Sequence, residues 1–139
     1  MSTRRLVHLF KHAGLRLSEL TEPGLEPYGI DGREFGVLSV LNTPEPLSQL
    51  EAAQRLRIDR TTMVAMVDAL EGKGLVGRRP HPGDRRKNMV ELTERGRETL
   101  SAATRVMDEA EEAFLAPLPA DDAQLLRDAL SRLVPPSGG

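Results

Sequence analysis

The sequence predicts a mainly α-helical protein of the α+β class, with six helices and one β-hairpin. Apolar residues recur at intervals of three and four along most of the chain, which is typical of amphipathic helices. Segments that contain Pro and Gly separate these helical stretches. One region instead reads LVGRR and KNMVEL around a Pro-His-Pro-Gly tip, which is the pattern of two paired strands.

The chain length and composition limit the possible classes of protein. The 139 residues suffice for one domain whose core is stable without cross-links. The absence of Cys excludes a disulfide framework, a thiolate zinc site and a cysteine redox sensor, and it favours the reducing cytoplasm. Lys11, His12 and Arg16 interrupt the apolar N-terminus, so we expect neither a signal peptide nor a membrane span. Aromatic residues are only 3%, which disfavours a stacking platform for single-stranded nucleic acid.

The first part of the chain predicts two helices. One covers Arg4 to Leu20 and is broken by the sequence PGLEPYG. The other covers Asp31 to Leu41 and opens with Asp-x-x-Glu, a potential capping box. This second helix is expected to bury Phe35, Leu38 and Leu41. Pro44 and Pro46 then end it.

Two short helices follow at close spacing. The first covers residues 48–56 and opens with Ser-x-x-Glu, a second potential capping box. A three-residue turn from Arg57 to Asp59 leads into the next helix, which Asp59 can cap and which stops at Gly72 to Gly74. Two helices joined by so short a turn form the pattern of a helix-turn-helix.

The second helix of this pair has two distinct faces. Its apolar face consists of Met63, Met66, Val67 and Leu70. Its opposite face presents Arg60, Thr61, Thr62, Val64, Ala65 and Asp68. Small and hydroxyl side chains would let this face lie close to base edges, and Val64 and Ala65 suit thymine methyl groups. An ordinary amphipathic helix would show the same division, so both interpretations stay open for the helix alone.

The hairpin is strongly basic within a chain of net charge −2. Residues 78–87 contain five Arg or Lys and one Asp, and residues 55–97 contain eleven basic against six acidic residues. The remainder contains eight basic and fifteen acidic residues, so one part of the molecule is suited to a polyanion. A helix-turn-helix followed by a basic hairpin is a winged helix, whose second helix enters the major groove of DNA.

The stretch LEGKGLVGRRPHPGDRRKNMVELTERG closely resembles the multiple-antibiotic-resistance regulator (MarR) family. The matching features are Leu70-Glu71, Lys73-Gly74-Leu75-Val76, Arg78-Arg79, Asp84-x-Arg86 and Leu92-Thr93-x-x-Gly96. A weaker likeness extends from about Asp31 to Leu133. Arg57 departs from the pattern because the family usually has Gly there, which implies either strain or an extra phosphate contact. Ala52 replaces a larger apolar residue, which affects how the two short helices pack.

The resemblance implies roles for the wing. It directs Arg86 to the minor groove, with Asp84 holding Arg86 or a neighbouring basic residue. The adjacent Arg85 and Lys87 are either further contacts with DNA or solvated charges. The remaining wing cations, Arg78 and Arg79, are either phosphate contacts or solvated charges.

Two more helices complete the chain. Thr93 can cap a helix that runs to about Ala116, and a last helix covers about Asp121 to Leu133. The first, fifth and sixth helices carry apolar stripes that a small winged domain cannot cover, so we expect two chains to pair. The resemblance implies an intertwined homodimer with a small, often aromatic or phenolic, effector between the dimer region and the DNA-binding lobe.

These elements define four expected segments. Residues 1–30 form an N-terminal helix and linker for dimerisation, and residues 31–92 form the winged helix-turn-helix lobe. Residues 93–134 form the C-terminal dimerisation helices, and residues 135–139 form a disordered tail.

The remaining histidines and acidic pairs are weaker candidates for a metal site or a catalytic site. His8 and His12 are four residues apart and could share a metal ion, although nothing nearby in sequence completes the site. His81, at the wing tip, suits solvent or phosphate better than a metal. The pairs Asp108-Glu109 and Glu111-Glu112 fit a solvated helix face, and no arrangement of residues indicates an enzyme.

We therefore expect a cytoplasmic, nucleoid-associated homodimer that binds double-stranded DNA, uses no cofactor, and represses transcription until a small effector binds. One alternative is a winged-helix protein-interaction module that does not bind DNA. The others are a metal-responsive regulator and an activator on the same fold.

Overall fold

The computed structural model describes residues 4–134 and, for residues 85–87, the backbone only. The expected tail at 135–139 therefore lies outside the described residues. The helices are α1 (Leu6–Leu25), α2 (Gly32–Val40), α3 (Gln49–Leu56), α4 (Arg60–Gly72), α5 (Glu94–Leu115) and α6 (Ala120–Leu133). The strands are β1 (Leu47–Ser48), β2 (Val76–His81) and β3 (Asp84–Leu92). Two compact units result, one from Met1–Gly32 with Ala103–Leu133 and the other containing Arg33–Ala102.

Helix α1 is longer than the sequence predicts. It continues through Pro23 to Leu25 and leads into a 3-10 turn at Glu26–Tyr28. The expected break was wrong: Pro23 has a φ fixed at a helical value, and α1 tolerates both its missing amide donor and the crowding of its ring against the preceding turn. Burial of Leu25, which is fully inaccessible, favours the extra helical turn. The chain leaves this conformation only at Gly29, whose φ is 70°.

The inner face of α2 also differs from the expectation. Val37, Leu38 and the following Leu41 are buried, but Phe35 is only half-buried. Glu34 takes the inward position instead, in helical phase with Val37, Leu38 and Leu41. Its carboxylate meets the ammonium of Lys73, at 2.7 Å between Oε2 and Nζ. A charged side chain thus occupies the place predicted for an aromatic one.

The helix-turn-helix begins with the predicted capping box. The Ser48 Oγ accepts from the Glu51 amide at 3.0 Å, and the Glu51 Oε1 accepts from the Ser48 amide at 3.2 Å. At the other end of α3, Arg57 is left-handed, with φ 55° and ψ 42°. This is the conformation for which Gly is favoured, so the departure noted in the sequence has a structural consequence. Ala52 is fully buried.

Helix α4 ends in a Schellman motif. The Leu75 amide donates to the Leu70 carbonyl at 3.0 Å, and the Gly74 amide donates to the Glu71 carbonyl at 2.9 Å. Gly74 has a φ of 76°, as the motif requires. The motif turns the chain directly into β2, which fixes the position of the wing beside α4.

The sheet is antiparallel in the order β1-β3-β2. Its hairpin is longer than predicted, because Pro80 and His81 belong to β2 and only Pro82 and Gly83 form the tip. Pro80 lies on an edge strand next to an irregularity of the register, and both are places where a sheet tolerates Pro. The register is irregular between Pro80 and His81. The two-residue strand β1 has no counterpart in the prediction.

Helix α5 begins at the predicted Thr93 cap. The Thr93 Oγ1 accepts from the Gly96 amide at 3.0 Å and donates to the Gly74 carbonyl at 2.7 Å. A Cβ at Gly96 would collide with the Leu75 carbonyl. The absence of a side chain there lets the start of α5 lie against the base of the wing.

The unit that contains α1, α6 and the second half of α5 leaves much apolar surface open. Within it, Leu25 and Ala103 are buried, and Gly24 lies against Val106. Large apolar side chains that remain exposed in the single chain include Leu6, Val7, Phe10, Leu125 and Leu133. Val7 is 81% exposed and Leu133 is 70% exposed. Exposed apolar surface of this extent is typical of a site that contacts another molecule.

Candidate nucleic-acid interface

Helix α4 separates its two faces nearly as the sequence predicts. Met63, Val67 and Leu70 are buried, whereas Met66 is only half-buried. The opposite face contains the exposed residues Arg60, Thr61, Ala65 and Asp68 and the half-exposed residues Thr62 and Val64. A shallow depression lined by Arg60, Thr61, Val64, Ala65 and Asp68 runs along this face. We call these five residues the outer face of α4.

The N-terminus of α4 has an unexpected side-chain arrangement. Asp59 is the N-cap residue, as predicted, but its Oδ1 accepts from the Thr62 hydroxyl instead of forming a side-chain cap to the backbone. This hydrogen bond lowers the pKa of the exposed Asp59 carboxyl below its ordinary value. The Thr62 hydroxyl hydrogen is thereby engaged within the helix, so Thr62 offers an outside partner its methyl group and an acceptor.

A cleft of about 430 Å³ lies beside the outer face. Its walls are the start of α3, the start of α4 and the wing. The lining residues are Ser48, Gln49, Leu50, Glu51, Arg60, Val64, His81 and Asn88. The His81 Nδ1 accepts from the Gly83 amide at 2.9 Å, so this ring braces the hairpin tip while it lines the cleft.

Arg78 lies at the base of the wing within reach of four acceptors. Its Nε donates to the Gln49 Oε1 at 2.7 Å. Its Nη2 lies 2.7 Å from the Asp68 Oδ1 and 3.3 Å from the Val64 carbonyl oxygen. Its Nη1 donates to the Glu71 Oε1 at 3.0 Å. With a side chain only 18% exposed, Arg78 is a bonded part of the lobe and not a solvated charge.

Arg79, the next residue along β2, is much more exposed than Arg78. The side chain of Arg79 is 57% exposed and lies 3.3 Å from the Glu91 carboxylate on the neighbouring strand. Such an exposed cross-strand pair contributes little stability. Arg79 therefore keeps most of its charge accessible to solvent.

The remaining wing cations have a described backbone only. Arg85, Arg86 and Lys87 belong to β3, and their side chains lie outside the described residues. Asp84 opens β3 opposite His81 in the register of the hairpin. The pairing of Asp84 with Arg86 stays a prediction.

Sequence reasoning missed two long-range contacts within the winged lobe. Lys73 and Glu34 are separated by 39 residues, and Arg78 and Gln49 by 29 residues. Neither pair has a local spacing signal, because each contact joins elements that are distant in the sequence: α2 with the end of α4, and β2 with α3. In the sequence, only the charged side chains of Glu34, Lys73 and Arg78 indicated that such contacts could form.

Comparison with known proteins identifies the lobe. A family model described as "MarR family" matches residues 28–87. Over 93% of its length the chain is similar to the solved transcriptional repressor CouR bound to a 23-mer DNA duplex, with 34% identity and a TM-score of 0.87. The match covers 92% of the CouR chain. The chain belongs to the MarR family. The predicted fold class and the resemblance read from the wing are both confirmed.

Further relatives of this MarR-family chain are regulators. The repressor NicR of Pseudomonas putida is 33% identical over 72% of the chain and 63% of its own length. The regulator YdgJ of Bacillus subtilis is 30% identical over 76% of the chain and 64% of its own length. The chain thus matches less than two thirds of these two relatives. A structure of CouR from Rhodococcus jostii RHA1 bound to p-coumaroyl-CoA is 25% identical, with a TM-score of 0.81, over 93% of the chain and 91% of that protein.

The other sequence candidates belong to α1 and α5. The rings of His8 and His12 have centroids 4.2 Å apart on α1. Within residues 4–134, no group of three or more His, Asp or Glu side chains could hold a metal ion. Glu111 pairs with Arg127 at 3.1 Å, while Asp108, Glu109 and Glu112 are exposed. Over the same residues, no helix is both long and apolar enough to cross a membrane.

Proposed function

We propose that this protein is a homodimeric repressor that binds double-stranded DNA and releases it when a small effector binds. The outer face of α4 is the observation that carries the proposal. It combines a cation, Arg60, with short side chains at Thr61, Val64 and Ala65 on an open surface next to the wing. A helix of this kind can approach base edges in the major groove.

The roles proposed for the outer face follow from side-chain chemistry. Arg60 is suited to a phosphate or to a guanine, and Thr61 to a hydrogen bond with a base. Val64 and Ala65 suit the thymine methyl group, as does the methyl group of Thr62, whose hydroxyl hydrogen is bonded to Asp59. Sequence choice would therefore depend mainly on apolar contacts and on short hydrogen-bonding groups.

The wing would supply affinity with little sequence preference. Arg85, Arg86 and Lys87 are proposed to reach phosphates or the minor groove, with Asp84 orienting Arg86. The similarity to CouR, which was solved with a DNA duplex, supports this assignment. Because the chain matches only 63% of NicR and 64% of YdgJ, what those two proteins bind does not support this assignment.

Dimerisation is proposed through the unit that contains α1 and α6. The exposed side chains of Leu6, Val7, Leu125 and Leu133 form apolar surface that a second copy would cover. Two copies related by a twofold axis would present two α4 helices to a pseudo-palindrome. Covering these side chains would also raise the stability of each chain.

Regulation is proposed to depend on an aromatic or phenolic effector. The structure of CouR with p-coumaroyl-CoA supports a ligand of this class. The chain contains no Cys, so occupancy by a ligand replaces thiol oxidation as the signal. We further propose that the protein works in the cytoplasm and is not an enzyme.

Selection from random double-stranded DNA tests the proposal. Retained fragments should share two related half-sites whose centres are roughly 34 to 36 Å apart, one helical turn. Binding should weaken steeply as salt rises, because phosphate contacts release counterions. If no duplex is retained even at low salt, the chain is a protein-interaction module. Transcription that rises when the protein binds a selected site would indicate an activator.

A further inference from the structure

Arg78 joins three elements of the winged lobe through one guanidinium. Its acceptors are the first residue of α3, Gln49, and three positions on α4. We infer that Arg78 is a positioning residue for DNA recognition, which fixes α4 against the wing and α3 and makes no contact with DNA itself. The inference rests on the proposed function, because it assigns a role within the binding of DNA.

The bonding of Arg78 argues against a phosphate contact. A guanidinium has five N–H donors in a planar fork, and this one already serves an amide, a carbonyl and two carboxylates. Its positive charge faces Asp68 and Glu71 at 2.7 Å and 3.0 Å. A phosphate would have to displace these partners, and only 18% of the side chain is exposed to reach one.

The positions of the acceptors on α4 explain why Arg78 would orient this helix. Val64, Asp68 and Glu71 are separated by four and three residues, so they lie along one stripe of the helix. A rotation of α4 about its axis would move all three acceptors away from the guanidinium together. Gln49 adds a fixed point on α3, so the guanidinium resists both rotation of α4 and separation of the two helices.

Arg78 also compensates negative charge on the helix that would enter the groove. Asp68 is 62% exposed and belongs to the outer face, and Glu71 is 45% exposed one turn further along α4. Without a cation beside them, both carboxylates would repel phosphate. The ion pairs with Arg78 reduce this repulsion while they hold the helix.

The variant Arg78→Lys separates positioning from contact. It keeps the positive charge but loses the planar fork, and an ammonium with three N–H donors cannot serve all four acceptors of Arg78. A phosphate contact would largely survive the change, since Lys serves as a point charge for phosphate. The matched control is Arg79→Lys on the same strand, where only one exposed ion pair is at stake.

The measurement is the affinity of each full-length variant for a selected site and for a mixed duplex, over a range of salt. Arg78→Lys should lower the ratio of specific to non-specific affinity roughly tenfold and leave the salt slope unchanged. Arg79→Lys should leave the ratio unchanged. Partial unfolding lowers both affinities equally, so it does not alter the ratio.

A second variant tests the inference where Arg78→Lys folds poorly. Glu71→Gln removes one exposed acceptor charge and should lower the ratio roughly two- to fivefold, with a smaller effect when Arg78 is already Lys. If Glu71 affected binding only through its charge, Glu71→Gln would tighten both duplexes equally. An unchanged ratio in Arg78→Lys or in Glu71→Gln would overturn the inference. Failure of the wild type to bind any duplex would instead refute the proposed function.

Discussion

The ammonium of Lys73 lies 2.7 Å from the Glu34 carboxylate and joins the C-cap of α4 to α2. The Glu34 side chain is only 12% exposed, and this ion pair stabilises its charge. We predict that Lys73→Met will lower the free energy of unfolding by about 1 to 3 kcal/mol, because a nearly buried carboxylate then lacks its cation. Urea unfolding at a fixed protein concentration measures this.

Two controls accompany the Lys73 prediction. The exposed residue Arg105 gives a matched loss of charge, and Arg105→Met should change stability by less than about 0.5 kcal/mol. In the Glu34→Gln background, Lys73→Met should cost less, since the carboxylate is gone. Equal costs in both backgrounds would show that the ion pair does not stabilise α4.

Arg57 supplies a prediction from backbone geometry. Its φ of 55° is unfavourable for a residue with a Cβ, by about 1 to 2 kcal/mol. Gly removes this strain but loses about 0.5 to 1 kcal/mol through the flexibility of the unfolded chain. Arg57→Gly should therefore stabilise the protein by up to about 1.5 kcal/mol, whereas Arg57→Val should destabilise it. A clear loss of stability in Arg57→Gly, measured by thermal unfolding, would mean that the side chain stabilises the turn more than the backbone strains it.

We predict that the Asp59–Thr62 hydrogen bond makes the stability of the protein depend on pH. The Thr62 hydroxyl lowers the pKa of the Asp59 carboxyl from its ordinary value of 3.8. A carboxyl with a lowered pKa in the folded state stabilises the fold above its ordinary pKa, and this contribution disappears as the pH falls through the lowered value. Thr62→Val should raise the pKa of Asp59. The variant should therefore be less stable than the wild type at neutral pH, and this difference in stability should shrink as the pH falls below about 4. NMR titration of the Asp59 carboxyl tests this, and an unchanged titration in Thr62→Val would refute it.

How far the sequence predicted the fold depends on the range of each interaction. The Ser48 capping box and the Thr93 cap were predictable because each involves residues within one turn. The continuation of α1 through Pro23 was not, since it depends on the burial of Leu25. For the candidate site, the outer face of α4 followed from helical periodicity. The interactions of Arg78 did not, because its acceptors lie on two helices that precede the strand β2 in the chain.

For the wing, the direction in which Asp84→Ala changes the affinity for DNA distinguishes two roles of Asp84. Arg86→Ala should weaken binding to specific and non-specific DNA together and reduce the salt slope by about 1. Asp84→Ala should also weaken binding if Asp84 orients Arg86, although removal of a negative charge near DNA should by itself tighten it. In the Arg86→Ala background, Asp84→Ala should have little effect. Tighter binding by Asp84→Ala, in a fluorescence titration, would reduce the wing to a general basic patch.

We propose that the outer face of α4 reads the DNA sequence, and a substitution at Ala65 tests this role. Ala65 is exposed on this face, so Ala65→Leu should fold normally but hold the helix away from the base edges. The matched control is Ala69→Leu, an exposed position one turn further along α4 and outside the depression. The measurement is the dissociation constant of each variant for a selected duplex and for mixed duplex DNA at the same salt. We predict that Ala65→Leu weakens binding to the selected duplex by about 1 to 3 kcal/mol and leaves non-specific binding and the Ala69→Leu control nearly unchanged. Equal losses of affinity of Ala65→Leu for both kinds of DNA, or no loss for the selected duplex, would show that the outer face of α4 does not read the sequence.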